Sequence, residues 1–186
     1  TFHSEEPGVD AVKFMKRRAS AYQAYYEHMP LRRTSMPTGP NMHLYRDFRW
    51  GTLGAFHILD TRQYRTDQPC GDQRGPACDG VFDEEATLLG DEQERWLLDG
   101  LNQSVARWNV IPQQVLMARV DRMPGDAELI GMDVWSGYEA ARRRLMEFLQ
   151  TRRPSNPIVL TGDIHTNWVT DLQVDYRNAN APIVGT

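Results

Sequence analysis

Short apolar segments alternate with amphipathic helical segments through most of this chain, and this alternation limits the fold more than any other feature. Apolar runs bounded by turn residues predict strands at 44–50, 53–59, 110–120, 158–161 and 169–175. Apolar residues at helical spacing predict helices at 10–28, from Asp91 onward, and at 138–149. The first two strands flank Gly51 as a hairpin, and the elements that follow have the order of an α/β fold.

Two of the predicted helices carry expectations about individual side chains. Asp91, with Glu94 three residues later, has the pattern of an N-terminal capping box. The run of arginines at 142–144 cannot all face one way, so we expect it to be mostly solvent-exposed. The inward positions of the same helix are predicted to be Tyr138, Ala141, Leu145, Phe148 and Leu149.

Composition excludes several classes of protein. The 186 residues are 40% hydrophobic and 10% aromatic, which is enough apolar surface for a packed core and argues against a disordered chain. The longest clearly apolar stretches, such as 158–160, fall far short of the roughly 20 residues of a membrane-spanning helix. The net charge of −4 argues against sequence-independent nucleic-acid binding, which needs many cationic contacts with phosphates.

The segment Gly162-Asp163-Ile164-His165, directly after the apolar strand at 158–161, is the sharpest local signal for chemistry. Ligands bind at the carboxyl ends of strands in α/β sheets, and a glycine there permits a close approach to the backbone. In an extended segment, Asp163 and His165 point to the same side and offer a carboxylate oxygen and an imidazole nitrogen to a metal ion. Two other interpretations stay open: Asp163 caps the following loop, and His165 is a core residue.

No motif for nucleophilic or nucleotide chemistry competes with this segment, since the chain lacks Gly-x-Ser-x-Gly, Gly-x-x-x-x-Gly-Lys and Gly-x-Gly-x-x-Gly.

Cys70 and Cys78 enclose a short loop that contains Gly and Pro. They are either a disulfide or two unrelated thiols, and the low apolar content of the loop favours the disulfide. A disulfide here indicates an oxidising, exported setting.

Six segments, taken in order along the chain, resemble the PhoD-like (alkaline phosphatase D) metallophosphatases of the calcineurin-like phosphoesterase superfamily. The Leu-Asp-Thr-Arg-x-Tyr-Arg piece at 59–65 and the Thr-Gly-Asp-x-His piece at 161–165 are specific in combination. The six segments are 21–31, 48–51, 59–65, 89–97, 108–114 and 159–168.

The resemblance implies part of a calcineurin-like phosphoesterase core, in which two packed β-sheets are flanked by helices. It also implies an exported enzyme that hydrolyses phosphomonoesters or phosphodiesters, takes small-molecule phosphate esters as substrates, and uses calcium together with iron. Asp163 and His165 match the family's metal ligands. Arg62 and Arg65 match a family signature, for which a charge partner of Asp60 and a phosphate contact are equal alternatives.

Departures from the family pattern lead us to expect a partial metallophosphatase domain over residues 1–186. The family's earlier metal motifs would precede this chain, no targeting segment is recognisable in it, and a further strand would follow. Ser136 stands where the family usually has Asp, which removes a carboxylate. We therefore expect the chain to supply Asp163 and His165 to a larger multi-metal centre and to be inactive alone. The alternative is a catalytically inactive α/β binding module or truncated relative.

Overall fold

The structure is a computed structural model that describes residues 8–178 and 180–186. The chain divides into two compact units, Thr1–Tyr45 and Arg46–Thr186. The first unit carries helix α1, and the second carries the sheets and two further helices.

Helix α1 spans Ala11–His28, as predicted. The carboxylate of Asp10 caps its start by accepting a hydrogen bond of 3.0 Å from the Lys13 N–H. The helix ends before Met29-Pro30 because the residue that precedes a proline disfavours the helical conformation. No residue of α1 is buried, so the cap and the proline define its bounds rather than packing.

A four-stranded sheet lies at the centre of the second unit. Its strands, in order both along the chain and across the sheet, are β1 (Arg46–Trp50), β2 (Gly54–Ile58), β3 (Trp108–Pro112) and β4 (Pro157–Leu160). β1 and β2 form the predicted antiparallel hairpin, whereas β2, β3 and β4 run parallel. The carboxyl ends of these three strands therefore meet at one edge of the sheet.

Two helices and a small second sheet complete the second unit. Helix α2 (Asp91–Asn102) lies between β2 and β3 in the chain, and helix α3 (Glu139–Arg152) lies between β3 and β4. The small sheet pairs β5 (Leu172–Gln173) with β6 (Ile183–Gly185) in antiparallel fashion. This architecture confirms the predicted α/β fold class.

Among residues 8–178 and 180–186, one face of the central sheet packs on the core. Ile111 and Val159 lie on that face and join a cluster with the helix residues Leu97, Leu101, Leu145 and Leu149. On the opposite face, the strand register aligns one apolar residue from each strand in a single row, and none of the four is fully buried. A partly exposed apolar face on this mostly parallel sheet fits a core that residues 1–186 leave incomplete. The four residues of the row are Phe48, Phe56, Val110 and Ile158.

Two predicted strands are shorter in the structure. The strand predicted at 110–120 ends at Pro112. The Gln113 N–H still donates to the Leu160 carbonyl on β4 at 2.9 Å, and beyond it the Gln113 and Gln114 side chains bind Thr161 and Leu59. The strand predicted at 169–175 is limited to β5, which pairs only with β6. Both predicted segments are apolar because they contact the core, and burial in a loop gives the same pattern as burial in a strand.

The predicted capping box at the start of α2 is wrong. The N-cap is Gly90, whose φ of 72° favours glycine and whose N–H donates a hydrogen bond of 2.9 Å to Thr87 Oγ1. The Glu94 carboxylate does not fold back onto the cap. It accepts a hydrogen bond of 2.8 Å from Arg144 Nε on α3 instead, so a contact between helices replaces the local one.

The expectation that the arginines at 142–144 are mostly exposed is wrong for Arg142, which is completely buried. Helical spacing places Arg142 four residues after Tyr138, within the inward stripe of α3. Its guanidinium donates to both carboxylate oxygens of Glu139, at 2.9 and 2.7 Å, and to the carbonyl oxygens of Gln173 and Val174, each at 3.0 Å. Arg142 thus joins α3 to the segment that contains β5.

We predict that Arg142→Gln lowers the free energy of unfolding by about 3 kcal/mol or more, because it leaves the carboxylate of Glu139 without its closest partner in a buried site. Urea unfolding of the full protein measures this loss. Arg143→Gln is the matched control, since Arg143 is half exposed and its ion pair with Glu84 lies at the surface. Equal stabilities of the two variants would contradict the role given to Arg142.

His57 on β2 is buried, and neither of its ring nitrogens has a hydrogen-bond partner among the described residues. The ring lies against Gly100 of α2, where a Cβ atom would come within 2.9 Å of His57 Cε1. Burial lowers the pKa of His57, and the nearby Asp47 opposes this shift only in part. His57 is therefore best accommodated as a neutral ring between the sheet and α2.

We predict that His57 lowers stability as the pH falls below its ordinary pKa of about 6.5. Below pH 6.5 His57 binds a proton in the unfolded chain but not in the folded chain, because burial lowers its pKa in the fold. The resulting loss of folding free energy is absent above pH 6.5 and grows as the pH falls below it. His57→Leu should flatten this part of the stability curve. Unfolding by urea between pH 8 and pH 5 compares the two proteins, and parallel curves over that range would contradict the prediction.

Candidate functional site

Three glutamine side chains hold the carboxyl ends of the parallel strands in place. Gln114, just after β3, accepts hydrogen bonds from the N–H and hydroxyl of Thr61, at 2.8 and 2.7 Å, and donates one of 2.8 Å to the carbonyl of Leu59. Gln113 donates a hydrogen bond of 2.7 Å to the Thr161 hydroxyl, just after β4. The segments after β2, β3 and β4 are thereby joined by side chains where the backbone ladder stops.

The third glutamine, Gln93 on α2, binds both backbone groups of Asp60. It accepts a hydrogen bond of 2.7 Å from the Asp60 N–H and donates one of 2.9 Å to the Asp60 carbonyl. The Asp60 carboxylate in turn accepts hydrogen bonds from the N–H groups of Arg62 and Gln63, at 3.0 and 3.1 Å. This turn fixes the backbone from which the Arg62 side chain extends.

The Arg62 and Arg65 side chains both bind Asp133, a residue that the sequence analysis did not identify. Arg62 Nη1 donates to both carboxylate oxygens of Asp133, at 2.9 and 2.8 Å, and Arg65 Nη1 donates to one of them. The interpretation of these arginines as charge partners of Asp60 is therefore wrong. Asp133 follows them by about 70 residues in a loop, so no local spacing could have indicated the pair.

Opposing effects act on the pKa of Asp133. Burial raises it, whereas the hydrogen bonds from Arg62 and Arg65 lower it and prevail, so the pKa lies below its usual range. Asp133 is consequently an ionised carboxylate at neutral pH, with two guanidinium groups sharing its charge.

These residues line a cleft of about 460 Å³ at the carboxyl end of the sheet. The cleft also includes Ser136, which is almost fully buried, and Asp163, whose carboxylate Oδ2 lies 3.7 Å from Arg62 Nη2. Cationic side chains outnumber acidic ones in its lining, although the whole chain carries a net charge of −4. The charged lining residues are Arg62, Arg65, Arg74, Arg122, Asp72, Asp133 and Asp163.

Asp163 and His165 lie in a tight turn after β4, which differs from the extended segment predicted. Both have left-handed backbone conformations, with φ of 66° and 59°, and the Ile164 N–H donates a hydrogen bond of 2.8 Å to the carbonyl of Gly162. Asp163 and His165 therefore do not lie on an extended segment, and the predicted extended geometry is wrong. Left-handed residues other than glycine are strained, and such residues cluster at functional sites.

The two predicted ligands are placed differently with respect to the cleft. Asp163 lines it, whereas His165 is exposed and is absent from its lining. Within 8–178 and 180–186, no group of three or more His, Cys, Asp or Glu side chains is arranged to hold a metal ion. The assignment of Asp163 and His165 as metal ligands stays a prediction.

Cys70 and Cys78 form a disulfide, which confirms the predicted pairing. Both cysteines pack against a small cluster of Val81, Ile130 and Met132, the last of which directly precedes Asp133. The loop that they close supplies Asp72 and Arg74 to the wall of the cleft. The disulfide thus stabilises one wall of the site.

Comparisons with known proteins agree on one family. A family model described as PhoD-like phosphatase matches residues 3–186. Alkaline phosphatase D of Bacillus subtilis (strain 168) is 46% identical over 180 residues, an alignment that covers 97% of this chain and 31% of the relative. The solved structure of PhoD superposes with a TM-score of 0.90 at 46% identity, covering 97% of this chain and 34% of that one. The chain spans about a third of the length of these relatives.

We predict that Gln114→Leu lowers the free energy of unfolding by about 1–3 kcal/mol, because the N–H of Thr61 and the carbonyl of Leu59 lose their partners while both residues are buried. Gln103→Leu is the matched control, since Gln103 is exposed at the end of α2. Unfolding by urea measures both variants. A loss of unfolding free energy below about 0.5 kcal/mol in Gln114→Leu would contradict the role of Gln114 in holding the strand ends together.

Proposed function

The chain belongs to the PhoD-like phosphatase family, and we propose that it forms part of an enzyme that hydrolyses phosphate esters. The observation that carries the proposal is the cleft at the carboxyl ends of three parallel strands, where Asp163 lies 3.7 Å from an arginine. A surplus of cations in the lining suits an anionic substrate. The name of the relative, alkaline phosphatase D, supports the same reaction class.

Asp163 and His165 are the residues that we propose as ligands of the family's metal ions. Their donor set fits, since a carboxylate oxygen suits calcium and an imidazole nitrogen suits iron. Both side chains are accessible, and Asp163 already attracts a cationic group, the Arg62 guanidinium. When bound, calcium and iron would supply Lewis-acid polarisation of the phosphoryl group. Further ligands are needed for a multi-metal centre, and we propose that they lie outside residues 1–186.

The surrounding residues of this chain hold the turn at 162–165 and the cleft in a fixed geometry. Gln113 ties Thr161 to the end of β3, and Ile164 packs against the core between the two proposed ligands. The turn therefore has a half-buried anchor between two exposed side chains, an arrangement that presents both to a ligand at small entropic cost.

We also propose an exported enzyme that acts on small-molecule phosphate esters. The disulfide between Cys70 and Cys78 supports this location, because disulfides persist in oxidising compartments. No helix among the described residues is long and apolar enough to cross a membrane.

We predict that His165→Ala and Asp163→Asn, each made in the full protein, lower bound metal and the hydrolysis of p-nitrophenyl phosphate by about 100-fold or more, since each removes a direct ligand. Elemental analysis and steady-state kinetics measure the two effects. His28→Ala is the matched control, because His28 is exposed at the end of α1.

Wild-type metal content and activity in both variants would contradict the assignment of the ligands. If the longer wild-type protein that contains residues 1–186 is inactive when loaded with metal, the non-catalytic binding module is favoured instead.

A further inference from the structure

The guanidinium group of Arg62 is anchored at one end only. Its Nη1 atom makes both hydrogen bonds to Asp133, whereas its Nε and Nη2 atoms donate none within the described part of the chain. Nη2 lies 3.7 Å from Asp163 Oδ2, which is beyond hydrogen-bond distance. Arg62 therefore keeps donors on the side of the cleft where the proposed metal ligand Asp163 stands.

Arg65 adds a second guanidinium to the same carboxylate. Among the described residues, only its Nη1 atom donates a hydrogen bond, to Asp133, and its side chain is 17% exposed. Arg62 and Arg65 thus share the Asp133 carboxylate, and the more distant Asp163 carboxylate lies 3.7 Å from Arg62. With Arg74 and Arg122 the charged lining still holds one more cation than anions, so an anionic ligand in the cleft would be attracted to the guanidinium groups.

Asp133 fixes the orientation of Arg62 before any ligand arrives. A guanidinium held at one end by a carboxylate loses less conformational freedom when its remaining N–H groups bind a ligand. The planar fork of those N–H groups matches the oxygens of a phosphate in spacing and charge. The position is also suitable, because Arg62 and Asp163 line the same cleft.

We propose that Arg62 and Arg65, anchored by Asp133, form a phosphate-binding site that contacts the non-bridging oxygens of the substrate's phosphoryl group. The same chemistry binds inorganic phosphate, the product of monoester hydrolysis. Arg62 and Arg65 touch the ligand, and Asp133 is a positioning residue. The inference rests on the proposed function, since it names the groups that recognise the substrate of that reaction.

The test compares Arg62→Gln with Asp133→Asn in the full, metal-loaded protein. Calorimetry with inorganic phosphate measures binding, and inhibition of p-nitrophenyl phosphate hydrolysis by phosphate shows whether the two share a site. Arg62→Gln should weaken phosphate binding by about 10-fold or more, because it removes a charge-assisted contact. Asp133→Asn keeps both guanidinium groups and should weaken binding by less than about 3-fold. Arg143→Gln controls for the loss of one surface arginine.

If the ion pair between Arg62 and Asp133 were merely structural, the two variants would behave alike, because each breaks the same pair. Equal phosphate affinities in Arg62→Gln and Asp133→Asn, at equal losses in melting temperature, would overturn the proposal. Weaker phosphate binding in Arg62→Gln with an unchanged KM would also overturn it, since the phosphate site would then lie apart from the substrate site.

A third variant, Arg62→Lys, tests whether the planar shape of the guanidinium group matters for phosphate binding. Arg62→Lys keeps the charge and loses the planar fork, so phosphate binding should stay weaker than in the wild type, and wild-type affinity would overturn the assignment of a fork.

Failure of the proposed function can be told apart from failure of this site. A wild-type protein that binds phosphate through Arg62 but hydrolyses no ester would refute the enzyme and leave the phosphate site intact.

Discussion

The geometry of the cleft depends on side-chain hydrogen bonds made where the backbone ladder of the parallel sheet ends. Strands β2, β3 and β4 stop at nearly the same level, and the last backbone hydrogen bonds between them are those from Leu59 to Pro112 and from Gln113 to Leu160. Gln113 and Gln114 bind the segments on either side, and Gln93 adds a bond from α2. Because these amides lie in buried or half-buried positions, water competes little for their hydrogen bonds. The bonds therefore fix the loops that carry the charged residues.

A second set of contacts builds the charged part of the cleft on this frame. The Asp60 turn positions Arg62 and the disulfide-closed loop stabilises the wall beside Asp133, so the ion pair joins two parts of the chain about 70 residues apart. Asp163 approaches the same arginine from the end of β4. Two further loops thus bring carboxylates to the loop that carries Arg62, which makes its guanidinium the centre of the site.

Sequence patterns predicted the elements of the fold better than the contacts of the site. Periodicity located α1, α3 and the hairpin, because those segments have one face that differs in polarity from the other. The same periodicity places Arg142 in the inward stripe of α3, although a run of three arginines is typical of an exposed surface. Its partners in the segment of β5 lie about 30 residues further along the chain, so no local pattern indicates them. Asp133 left no local signal. The left-handed turn at Asp163 and His165 was missed because neither residue is a glycine.

We propose that the cleft at the end of the sheet binds a phosphoester beside metal ions held by Asp163 and His165. Crystals of the full protein grown with its metal ions and inorganic phosphate test it most directly, with anomalous diffraction to locate the metals. We predict metal at coordination distance from Asp163 and His165, and phosphate hydrogen-bonded to Arg62 while Arg62 remains on Asp133. Metal and phosphate bound together elsewhere in the protein, with this cleft filled by water alone, would contradict the account.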